Sequence, residues 1–169
     1  MPDTAHVSRQ AMPQLTRVGE LALPRQQMPF SVRNIVNEEL VRFKKIGDDL
    51  RRVIADIEVH HETPARTADV FRLDGEAGTR FSVSMERLLA YGYPVLAWWH
   101  VYALLERSHS VDPERYLSTG SQLALWVGPP APPLQLHSQM NWDEGHETGL
   151  QTTPGWQWSA GTLFVLYQA

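Results

Sequence analysis

The sequence predicts an α+β fold: a long amphipathic N-terminal helix, a short β-hairpin and helices, then a C-terminal antiparallel β-sheet. Three observations predict it. Apolar residues recur every three or four positions between Ser31 and Ile57, the period of one helix face. Short runs broken by Gly and Pro follow. From Gly120 onward the character is β, with short apolar runs and, in "LQLHSQMNW", strict alternation at a period of two, the period of a half-buried strand.

Taken in order, residues 1–30 carry four prolines and a sparse, aperiodic set of apolar groups. They are expected to form an extended N-terminal arm, and residues 31–169 a single α+β domain. Leu15, Val18, Leu21, Leu23 and Met28 are too few to build a core but enough to anchor a segment on another surface. Ordering each residue costs about 1–2 kcal/mol of backbone entropy, so such an arm needs a surface to lie on. A neighbouring subunit is the expected one.

Val32, Val36, Leu40, Phe43, Ile46, Leu50, Val53 and Ile57 define the helical stripe, with Ser31 as its N-cap. Glu38 with Arg42 and Asp48 with Arg52 have the favourable i,i+4 order. Gly47 lies inside the stripe and costs about 1 kcal/mol relative to Ala. The sequence "ETPARTA" ends the helix. "DVFRL" and "RFSVSM" then flank the turn-forming "DGEAGT" and read as a β-hairpin. Ser84 caps an expected short helix from Met85 to Tyr91. Pro94 suits the first turn of another that reaches about Arg107, and a third starts near Asp112 and Pro113. "QLALWV", "LQLHSQMNW" and two runs around Ser159–Gly161 read as the strands of the C-terminal sheet, with "GPPAPP" a stiff spacer between the first two.

Composition narrows the function. The chain has no cysteine, which removes disulfides, thiolate metal sites and thiol catalysis together. The net charge is −4, and its basic residues around Arg42, Lys44, Lys45, Arg51 and Arg52 are interleaved with Glu38, Glu39, Asp48 and Asp49. That mixture reads as a solvated surface and not as a phosphate-binding face, so no nucleic-acid partner is expected. The most apolar stretch, "YGYPVLAWWHVYALL", has fifteen residues. A membrane span needs about 20, so this one reads as core. The first residues lack the charged and apolar regions of a signal peptide.

Candidate chemistry concentrates in "LQLHSQMNWDEGHE". His137, His146 and Glu144 are the metal-ligand candidates, weighed against a polar strand face ending in an acidic turn. The stretch resembles a strand of the cupin β-barrels but lacks their His-x-His, so no site follows from that resemblance. The sequence therefore predicts no metal and no cofactor. His60 and His61 suit the negative end of a helix dipole. His100, in "AWWHVYALL", reads as a core histidine. Trp156 and Trp158 share a strand parity and form either core or an aromatic platform, and tryptophan is prominent at interfaces.

These features together point to a structural or assembly protein that forms oligomers with itself or with other subunits. A small subunit of a virus or phage particle has this architecture. The expected interface residues are Leu15, Val18, Leu21, Leu23, Met28, Trp156 and Trp158. Two alternatives stand beside it: a metal-dependent small β-barrel enzyme using His137 and His146, and a binding module for a small molecule or peptide with a Trp platform.

Overall fold

A computed structural model describes residues 15–27, 29–36, 44–55, 62–82, 95–108, 115–117, 122–128, 131–141, 145–152 and 157–168. Among these, sheet dominates. Strands β1 (Leu15–Leu23), β3 (Arg66–Leu73), β9 (Leu163–Tyr167), β5 (Gln122–Leu125), β6 (Leu134–Asn141) and β7 (Gly145–Thr152) lie side by side in that order. The three-residue β2 (Lys44–Ile46) adds to β7 at one margin. A separate ribbon pairs β4 (Arg80–Ser82) with β8 (Gln157–Ser159). Two short helices, α1 (Asp48–Ala55) and α2 (Trp98–Ser108), and a 3-10 turn at Val32–Val36 complete the described elements. No described helix is long and apolar enough to cross a membrane.

The long N-terminal helix expected from Ser31 to Ile57 is not there. Its described residues form the 3-10 turn, β2 and α1 in succession. Gly47 marks the break: its N–H donates to the Leu150 carbonyl at 3.0 Å, and its backbone lies against Gln151. Pairing with β7 therefore overrides the local helical period. Part of the stripe does reach the core: Val32 and Leu50 are buried there with Val53 packed against it, joined by Ile35 and Ile54, which lie off the stripe. Asp48, Asp49, Arg51 and Arg52 stay exposed, as a solvated face requires.

Two further corrections concern the sheet. The expected hairpin of "DVFRL" with "RFSVSM" does not form. β3 is bonded to β1 on one side and β9 on the other, so no edge remains for β4, which pairs with β8 instead. The C-terminal strands are not purely antiparallel either, because β5 runs parallel to β9 and β2 parallel to β7. The expected helices at Met85–Tyr91 and from Asp112 begin in residues outside the described ones; Arg115–Leu117 is a turn.

Alternation along the central strands places one core on each face. Ala68, Val70, Leu123, Leu125, Val165 and Tyr167 face α1, α2 and the 3-10 turn. Phe71, Leu73, Ala124, Phe164 and Leu166 face the ribbon, which contributes Trp158 and Phe81. β6 and β7 continue the first face with Leu134, Leu136 and Leu150. Their other face is polar, with Gln135, His137 and Gln151.

Residues 15–23 of the expected arm are a strand of this sheet. Leu21 and Leu23 are each 2% exposed, in the core beneath α2.

Candidate functional site

The densest set of long-range polar contacts among the described residues gathers along β1. The register explains why. Thr67 of β3 accepts a hydrogen bond from the Gln168 N–H, so its backbone is turned toward β9. Ala22 is opposite Thr67, so its carbonyl points away from β3, to the margin of the sheet. There the Arg107 guanidinium donates to it at 2.6 Å. Tyr116 donates its hydroxyl proton to the Val18 carbonyl at 2.6 Å. The Pro24 carbonyl, just past the strand, accepts from the Trp99 indole N–H at 3.1 Å and from His100 Nε2 at 3.0 Å.

Four side chains spread from residue 99 to residue 116 thus end on carbonyls of one seven-residue stretch, Val18 to Pro24. Gly19 makes the Tyr116 contact possible, because a Cβ there would overlap the phenol ring. A free strand edge presents unpaired backbone groups that recruit other strands. Here side chains of α2 and the following turn occupy part of that edge.

His100 is the chemical centre of the clamp and is 0% exposed. Its Nδ1 meets the Tyr167 hydroxyl. The Ala97 N–H donates to that hydroxyl oxygen at 2.9 Å, which leaves the Tyr167 proton free to go to Nδ1. Nδ1 is then the acceptor, Nε2 carries the ring proton, and Pro24 receives it. This assigns a neutral Nε2–H tautomer from the network alone. Burial pushes the His100 pKa down from its ordinary value; the Pro24 carbonyl opposes that shift, and the Arg66 charge adds to it. Burial also raises the Tyr167 pKa, against the Ala97 N–H and Arg66. The Arg66 guanidinium lies over the Tyr167 ring, 3.9 Å from its centre. This arrangement holds chain segments together. Sequence reasoning placed His100 in the core but missed its partners, because Pro24 and Tyr167 lie 76 and 67 positions away.

The other sequence candidates fall as follows. His137 is opposite Gly149 in the β6–β7 pair, and its ring lies on the glycine, where a Cβ would overlap it. His146 is opposite Met140. Among the described residues the sheet has two margins and is not closed into a barrel. No group of three acidic, histidine or cysteine side chains suited to a metal occurs among the described residues. Glu144, His60, His61, Met28 and Trp156 lie outside the described residues. Trp158, on the ribbon strand β8, is 2% exposed and packs edge-to-face with Phe164 of the sheet, so it offers no open platform. Leu15 packs against the ribbon-side core and Val18 against the helix-side core. No family model, curated protein or solved structure matches the chain.

Proposed function

We propose that the chain is a non-enzymatic assembly subunit, and that β1 is the element exchanged between copies. In the assembly, β1 of one copy occupies in its neighbour the place it fills in its own body. The interface is then built from Leu15, Val18, Leu21 and Leu23, seated on a partner's β3 and α2.

The clamp is the observation that carries this reading. Among the described residues β1 is at the margin of the sheet, is bonded to one strand only, and is fastened elsewhere by side chains reaching Val18, Ala22 and Pro24. A strand at the margin of a sheet exchanges between identical copies at low cost, since every contact it loses is remade in the partner. His100, Arg107, Tyr116 and Trp99 serve this fastening, which explains why such reactive side-chain types recur around one strand.

Light scattering across a wide protein concentration tests the proposal. Discrete oligomers that grow with concentration are expected, and a monomer at every concentration would overturn it.

A further inference from the structure

We propose that the contact of His100 with Tyr167 and Pro24 is an acid-sensitive latch, closed while His100 is neutral and opened by its protonation, which frees the segment Pro24–Gln27 and the C-terminal end of β1 from α2. The latch goes beyond the assembly reading and stands whether or not β1 is exchanged.

The geometry admits only one proton on the ring. Nε2–H donates to the Pro24 carbonyl, and Nδ1 accepts from Tyr167. A second proton on Nδ1 turns that acceptor into a donor. The Tyr167 oxygen, already accepting from Ala97, can accept again, but its own proton then has nowhere to go in a side chain only 2% exposed. A buried hydroxyl without a partner is costly, and so is the unpaired imidazolium. The surroundings add no compensation. From β3 the charged group facing the site is Arg66, which is of the same sign. From β9 it is Tyr167. The segment after β1 offers the Pro24 carbonyl, while Arg25 pairs with Glu62 at the surface, the two side chains 72% and 90% exposed. The 3-10 turn contributes Val32 and Ile35, and β7 contributes Leu150, all apolar. Among the described residues no carboxylate reaches the ring.

The direction in pH follows. The open segment exposes His100 to water, where it takes a proton at the ordinary histidine value of about 6.5. The closed form binds that proton only at lower pH. The latch is therefore at full strength above about 6.5, and below it the closed-to-open ratio falls about tenfold per pH unit until the closed form itself is protonated.

The test is carried out on the full chain. Imidazole NMR reads the tautomer and titration of His100, and amide hydrogen exchange reads protection at Gln26, Val101 and Leu23 over the same pH range. The expected result is a neutral Nε2–H ring persisting below the ordinary histidine range, with protection at these amides falling as pH drops below about 6.5, after correction for intrinsic exchange. The His100→Gln variant keeps a neutral donor and acceptor and should lose that pH response. Ordinary titration of His100 with unchanged protection would overturn the proposal, as would the same pH response in His100→Gln. If His100→Gln does not fold, the two wild-type measurements decide the matter without it.

Discussion

Replacing Leu23 by alanine separates a strand of the body from an arm that merely rests on it. Leu23 is 2% exposed, in the core shared by the sheet and α2, and the next residue is the clamped Pro24. Truncating a leucine in such a site removes its transfer free energy and leaves a cavity, at a cost of about 2–5 kcal/mol. For a chain of this length each kcal/mol moves the midpoint by about 2–4 °C, so the melting temperature should fall by roughly 4–20 °C. Urea unfolding followed by tryptophan fluorescence measures the same loss at constant temperature. Arg25→Ala is the control: its side chain is 72% exposed, and its pairing with Glu62 at 3.9 Å is a surface contact. That change should stay within about 0.5 kcal/mol. If Leu23→Ala also stays within about 0.5 kcal/mol, β1 is not part of a folded body and the reasoning fails.

Two other predictions test the packing. Gly149→Ala should cost about 1–3 kcal/mol, because the new Cβ overlaps the His137 ring; in a His137→Ala background, urea unfolding should show most of that penalty gone. Trp126→Phe should destabilise more than Trp158→Phe, by about 1–3 kcal/mol in calorimetry, because the Trp126 indole N–H donates to the Ala131 carbonyl at 3.1 Å while the buried Trp158 indole N–H has no acceptor among the described residues.

What the sequence shows and what it hides divide along a physical line. Local alternation identifies β6, whose Leu134 and Leu136 enter the helix-side core, and an unbroken apolar run identifies β9, whose residues alternate between the two cores. α2 is found within a few residues of its observed bounds, Trp98–Ser108. The stretch from Ser31 to Ile57 misleads because two separate pieces, the 3-10 turn and α1, place side chains on one core at helical spacing. Nothing local reports that Gly47 bonds to Leu150. β7 escapes because "GHETGLQT" contains two glycines and few strand-forming residues. A signal was available: Leu150, Gly149 and Gln151 match the parity of Leu136, His137 and Gln135 across a three-residue connection. Pairing the two stretches would also have set His137 against Gly149. The clamp could not be read at all, since each of its contacts joins residues 75 to 98 positions apart.

Disulfide trapping between β1 and β3 tests the central claim most directly. Ala22 and Thr67 are opposite each other with their backbone bonds directed apart, an arrangement whose close Cα atoms suit a disulfide. The natural chain has no cysteine, so the double variant Ala22→Cys/Thr67→Cys reports this contact alone. The variant is oxidised, and its monomer and oligomer fractions are compared on a non-reducing gel. The account predicts a cross-link within one chain in the monomer and between chains in the oligomer. Oligomers that hold only cross-links within single chains would contradict exchange of β1, and a failure to cross-link in either fraction would contradict the pairing of β1 with β3 itself.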